Sequence, residues 1–208
     1  MTQAARKALV RLREGNARFV AGTRSLDRSN HADRTALSSS QNPFAIVLGC
    51  SDSRVPAELV FDQGVGDLFV IRVAGNIVAP SQVGSVEFAA SRFGTRLVVV
   101  LGHSRCGAVL ATLEALRRPG GESSRNLRSI VDRIRPSVEA LLAGGVAGGE
   151  ESLVREAVRA NVRAGVDHLR HGSEILEDLI ARAGLRVVGA EYSLETGEVD
   201  FFEAPAEP

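Results

Sequence analysis

Two short polar stretches, each at the end of an apolar run, constrain this chain more than any other feature. Cys50-Ser51-Asp52-Ser53-Arg54 follows Phe44-Ala45-Ile46-Val47-Leu48-Gly49, and Gly102-His103-Ser104-Arg105-Cys106 follows Leu97-Val98-Val99-Val100-Leu101. Both runs read as buried strands. Two thiols and one imidazole then sit at neighbouring carboxyl ends of two parallel strands, where open α/β sheets place ligands. The two-residue gap between His103 and Cys106 lets both point one way from a strand-to-helix turn. Two cysteines and one histidine are three soft or borderline donors, a set that suits zinc with an open fourth position.

The rest of the chain alternates strand and helix. Strands are predicted over residues 44–49, 68–73, 97–101 and 185–192. Helices are predicted over 56–61, over 81–93 with Ser81 as N-cap, from near Cys106 to before Pro119-Gly120, and over 126–142 with a kink at Pro136. Two more follow: 152–171, with Val154, Val158, Val162, Val166 and Leu169 as a narrow apolar stripe, and one capped by Ser173 that runs to Ala183 before Gly184. A turn at Glu195-Thr196-Gly197 returns the chain over 199–202. The pattern implies an α/β fold: a central, mainly parallel sheet of about four strands plus an antiparallel edge strand, flanked by helices. Residues 4–20 read as an N-terminal helical arm, weakened at Asn16 and Gly22, and residues 144–149 as a Gly/Ala linker. One domain is expected over 1–208: an arm (1–42), a core (43–202) and a tail (203–208) that frays.

Charge and cysteine usage exclude several classes. Lysine plus arginine and aspartate plus glutamate number 25 each, so nothing marks a nucleic-acid or anionic-membrane surface. Cys50 and Cys106 are the only cysteines, too few for a disulfide scaffold. No run approaches the roughly 18 apolar residues of a membrane span, and residues 1–20 lack a signal-peptide pattern. A cytoplasmic protein with reduced thiols is expected.

Residues 45–58 (AIVLGCSDSRVPAE) and 98–109 (VVVLGHSRCGAV) resemble the two signatures of the β-class carbonic anhydrases. Residues 12–19 (LREGNARF) resemble that family's arm helix, and 67–76 (DLFVIRVAGN) its second strand. The resemblance covers nearly the whole chain. It implies one Zn²⁺ per subunit on Cys50, His103 and Cys106, and reversible hydration of CO₂ to bicarbonate and a proton by zinc-bound hydroxide. It also implies a catalytic dyad. Paired to Arg54, Asp52 leaves the metal open and accepts a hydrogen bond from its water; unpaired, Asp52 becomes a conditional fourth ligand. Read from the residues alone, Asp52 and Arg54 sit two apart and can meet as an ion pair on an extended turn; the plainer alternative makes Asp52 a helix N-cap and Arg54 a cap on nearby carbonyls.

The family's substrate residues carry over as Gln41, a side-chain amide donor, Gly107, a backbone N–H donor, and Phe69 and Phe88, aromatic walls supplied partly by a neighbouring subunit. Phe88 stands where relatives often have tyrosine, and core packing would also explain both phenylalanines. A regulated branch of the family has a second bicarbonate site whose positions here read Val47, Arg72 and Tyr192, without its tryptophan. The resting site is therefore expected open, with Asp52 on Arg54. Arg54, Arg72 and Arg105 are candidates to offset the charge of two thiolates. The resemblance further implies an intertwined homodimer or homotetramer. His168 and His171 read as a solvated helix end, and His31 is assigned nothing. Two rival readings stand beside this one: a hydrolase of carbonyl sulfide or carbon disulfide on the same zinc, and a structural-zinc or redox module with Cys50 and Cys106 disulfide-bonded.

Overall fold

The computed structural model describes residues 2–24, 35, 37–118, 124–144 and 147–202. His31, the tail from 203 and much of the 23–42 stretch lie outside these. Helix α1 is Gln3–Val20, and its N-terminus is capped by the Thr2 hydroxyl, which accepts from the Ala5 amide at 3.4 Å. The alternating core follows as β1 (Ala45–Gly49), α2 (Ala57–Val60), β2 (Leu68–Arg72), a 3₁₀ turn (Ala74–Asn76), α3 (Pro80–Arg92), β3 (Leu97–His103) and α4 (Gly107–Arg117). Helices α5 (Arg125–Gly144), α6 (Gly149–His171) and α7 (Glu174–Arg182) lead to β4 (Arg186–Tyr192) and β5 (Val199–Phe201).

The strand order is β2-β1-β3-β4-β5. All pairings are parallel except β4 with β5, the expected antiparallel edge. The order reverses direction between β1 and β3, so the crevice at their carboxyl ends is the topological switch point where such sheets bind ligands. Both sides are covered. Val47, Val99 and Leu101 pack against Leu9, Leu12 and Phe61 of the α1–α2 side. Ile46, Leu48 and Val100 pack against Val86, Val162 and Val166 of the α3 and α6 side.

Some local readings change. Helix α3 begins at Pro80, not after a Ser81 cap; Pro80 occupies the first turn, where its missing N–H costs nothing, and Ala79 precedes it without a side-chain bond. Strand β3 runs on to His103, so the imidazole belongs to the strand end itself. Helix α5 continues through Pro136 and buries only Ile134 and Val138, leaving Leu127 exposed. Ser173 caps α7 as expected, accepting from the Leu176 amide at 3.2 Å.

Asn16 is the largest revision. It does not weaken α1; it fastens it. Its amide donates to the carbonyls of Val60 (3.1 Å) and Gly197 (2.8 Å), and its oxygen accepts from the Val199 amide at 2.9 Å. One buried side chain thus joins the arm helix, α2 and the β4–β5 hairpin. Asn16→Ala should lower unfolding free energy by about 2–4 kcal/mol, because three backbone groups lose partners in a poorly solvated place. Urea titration checks this; a loss below about 0.5 kcal/mol, the scale of ordinary surface changes, would count against the fastening role.

Candidate metal centre

Cys50 is the first residue beyond β1, and Cys106 is the residue on which α4 begins. Between His103 and Cys106 the chain must double back within two residues. It does so with Arg105 in a left-handed conformation (φ 54°) that few side chains adopt. The turn is braced from the β4–β5 hairpin. Ser104 donates its amide to the Tyr192 carbonyl (2.9 Å) and its hydroxyl to Glu195 (2.8 Å), and it accepts from the Leu194 amide (3.0 Å). Arg105 pairs with Glu195 at 3.0 Å.

The ligand atoms of Cys50, His103 and Cys106 all lie within 4.8 Å of one another, and all three residues are buried. Both cysteines are free. His103 Nδ1 lies 2.9 Å from the Ser104 carbonyl, an acceptor only, so the proton belongs on Nδ1 and the lone pair on Nε2. Nε2 is buried and, among the described residues, has no hydrogen-bond partner. Its 3.9 Å approach to Asp52 Oδ2 is not an ion pair in this tautomer. An orphaned nitrogen facing two sulfurs is what a metal ligand looks like before the metal, so the residues fit zinc.

The two thiols titrate as a pair. Cys50 is drawn well down, chiefly by the hydrogen bond from the Cys106 thiol, with the amides of Asp52 and Gly75 adding to it against burial. Cys106 is pushed well up, because it keeps the shared proton beside a thiolate and is buried.

Asp52 meets Arg54 in a two-pronged contact. Arg54 donates from its amide and Nε to Oδ1, both at 2.9 Å, and from Nη2 to Oδ2 at 2.7 Å. This holds the carboxyl well below its usual range. Arg72 donates to the carbonyls of Cys50 (3.1 Å) and Asp52 (2.6 Å), pinning the loop that carries both. Of the three arginines expected to offset the thiolates, Arg54 does so through its charge, which acts on both sulfurs, while Arg72 bonds carbonyls and Arg105 pairs with Glu195. The Cys50 sulfur also accepts the amides of Asp52 (3.4 Å) and Gly75 (3.3 Å), donors that residue type could not reveal.

Gln41 is exposed before β1, and Gly107 opens α4 with free space where a Cβ would stand. Phe69 and Phe88 stack with Phe93 at centroid distances of 5.5–6.3 Å, at open edge strand β2. Phe69 and Phe93 pack on the sheet face away from α1, and Phe88 is 54 % exposed. His171 lies 3.6 Å from Asp167, both exposed near the end of α6. Among the described residues no helix is long and apolar enough to cross a membrane.

The carbonic anhydrase family model matches residues 45–199. The chain is 42 % identical to a carbonic anhydrase of Mycolicibacterium smegmatis, over 91 % of this chain and 89 % of that one. It is 40 % identical to carbonic anhydrase 2 of Mycobacterium tuberculosis, over 89 % and 87 %. A solved structure of tetrameric β-carbonic anhydrases from Sordaria macrospora superposes with a TM-score of 0.71 at 26 % identity, covering 82 % of this chain and 85 % of that one. A match that runs through both strand ends and the whole parallel sheet, at this identity and with this topology, makes the chain a member of the carbonic anhydrase family, in its β class.

Proposed function

We propose that the chain holds one zinc ion on Cys50, His103 and Cys106 and catalyses the reversible hydration of carbon dioxide to bicarbonate and a proton. The observation that carries this reading is the buried His103 Nε2, oriented through Ser104 and left, among the described residues, without a hydrogen-bond partner beside two sulfurs. Bound there with one position open, zinc supplies the Lewis acidity that brings the pKa of water to about 7. The protein's part is orientation. Arg54 holds the Asp52 carboxylate ionised and fixed, so that it accepts a proton-bearing group beside the cluster without occupying it. Gln41 and the Gly107 amide, at the N-terminus of α4, donate to substrate oxygens.

Phe69 and Phe88 wall the pocket of a neighbouring subunit, which accounts for an aromatic cluster left exposed at an open sheet edge. The tetrameric state of the Sordaria relatives supports a homo-oligomer. Two buried free thiols accord with a reducing, cytoplasmic setting.

Stopped-flow CO₂ hydration on zinc-loaded protein, run beside sulfide release from carbonyl sulfide, tests the function. A kcat/KM for CO₂ above about 10⁴ M⁻¹s⁻¹ is expected, the lower end of ordinary enzymes. Protein carrying one zinc per chain that hydrates CO₂ no faster than buffer, or that prefers carbonyl sulfide, would reverse the assignment.

A further inference from the structure

Two thiolates push more charge onto a metal than imidazoles do, and Arg54, bonded to Asp52, reaches the sulfurs through its charge alone. What faces the Cys50 sulfur is a pair of backbone N–H groups. The Asp52 amide belongs to the same loop. The Gly75 amide comes from the 3₁₀ turn that follows β2, 25 residues on, and something must hold it there.

We propose that Asn161, on α6, is a positioning residue for the metal centre: its Nδ2 donates to the Gly75 carbonyl at 2.8 Å and so holds Gly75 with its N–H on the Cys50 sulfur.

Gly75 sits at φ 69°, ψ 19°, a region glycine enters and leaves freely, so its own preference does not fix the amide. Its mobility cannot be cured by a side chain. A Cβ there would stand 2.8 Å from Ile134 Cδ1 and 2.9 Å from Ala108 Cβ. Anchoring must come through the carbonyl. Asn161 is only 5 % exposed and lies among the valines of the α6 stripe. A buried amide there is costly unless bonded, and its bond goes to Gly75. Two other glycines bring α6 close enough. A Cβ at Gly102 would meet Val162 Cγ2 at 2.6 Å, and one at Gly165 would meet Val100 Cγ1 at 3.2 Å. An N–H on a thiolate withdraws charge from sulfur, so less reaches the metal and its Lewis acidity is kept up. Partners of ligands commonly tune a site this way. Asn161 touches neither substrate nor metal; it acts through Gly75.

The assignment rests on metal occupying the Cys50–His103–Cys106 cluster. Cobalt(II) in place of zinc reports the sulfur donors through a thiolate-to-metal absorption band. In Asn161→Ala and in Asn161→Asp, which keeps the side-chain volume, the band should move to lower energy. The pH midpoint of kcat/KM should rise, with kcat/KM below it falling about tenfold. Val166→Ala, buried on the same helix within the apolar cluster on that face of the sheet, should lower Tm and leave band and midpoint unmoved. Asn161 variants that behave like Val166→Ala would overturn the assignment while leaving the metal reading intact. Should neither Asn161 variant fold, the cadmium-113 form of the native protein decides: scalar coupling between the metal and the Gly75 amide proton supports the assignment, and its absence overturns it. Native protein that takes up no cobalt would overturn both readings.

Discussion

Cys106→Ser should yield a folded protein that retains no stoichiometric zinc and hydrates CO₂ no faster than buffer. Cys106 is 1 % exposed and stands where α4 begins, with the amides of Val109 and Ala108 favouring its thiolate. Serine keeps the shape and loses the chemistry, because an alcohol at neutral pH is neither ionised nor soft. Two donors then remain. Without the metal, water returns from a pKa of about 7 to about 15.7, and at neutral pH the supply of hydroxide falls by roughly eight to nine orders of magnitude. The fold should survive, since the sheet faces pack without this residue. Burying one hydroxyl costs about 1–3 kcal/mol. Metal analysis, stopped-flow kinetics and circular dichroism together check the outcome. A variant with one zinc per chain and more than a hundredth of native activity would remove Cys106 from the ligand set. The paired thiols add a pH sign. Both sulfurs bind metal as thiolates, so zinc uptake releases thiol protons, and affinity should weaken as pH falls.

How much of this was legible beforehand depended on whether a residue acts through its own side-chain chemistry or through where the backbone carries it. Cys50, His103 and Cys106 announced themselves because apolar strands end at them and no other cysteine competes. The α6 stripe announced its buried face by spacing alone. Asn16 and Asn161 did neither. An asparagine inside a helix reads as a weak point, since its amide competes with backbone bonds in unfolded chains. Only the tertiary placement shows that both amides satisfy backbone groups on distant elements. The Gly75 amide was equally invisible, being a donor that every residue but proline carries. Leu127 misled in the opposite direction: its helical spacing marks an apolar face, yet that end of α5 projects past the core.

Asp52→Asn should keep zinc and lose catalysis by about 10²–10⁴-fold in kcat/KM, the usual worth of a positioned proton acceptor. The substitution changes one oxygen to an amide nitrogen. The Asp52 backbone amide can still donate to the Cys50 sulfur, and Arg72 can still hold the Asp52 carbonyl, so the ligand loop stays in place. What disappears is the anionic acceptor that Arg54 grips from its amide, Nε and Nη2. That grip, above all the side-chain hydrogen bond from Arg54, depresses the Asp52 pKa. The sign follows: any stability from the pair is present above the unfolded carboxylate value of about 3.9 and fades only as pH falls toward the lower folded value. Activity changes near neutral pH therefore do not report Asp52 titrating. Arg54→Gln tests the other half. Asp52 Oδ2 already lies 3.9 Å from His103 Nε2, so a released carboxylate has a short path to the cluster. Arg54→Gln should be as inactive as Asp52→Asn while holding zinc, with a cobalt spectrum that shows an added oxygen donor. The double variant should lose that donor and be no less active than Asp52→Asn alone, because residues of one unit do not contribute additively. Independent, multiplying losses in the double variant would mean that Arg54 acts on substrate rather than through Asp52.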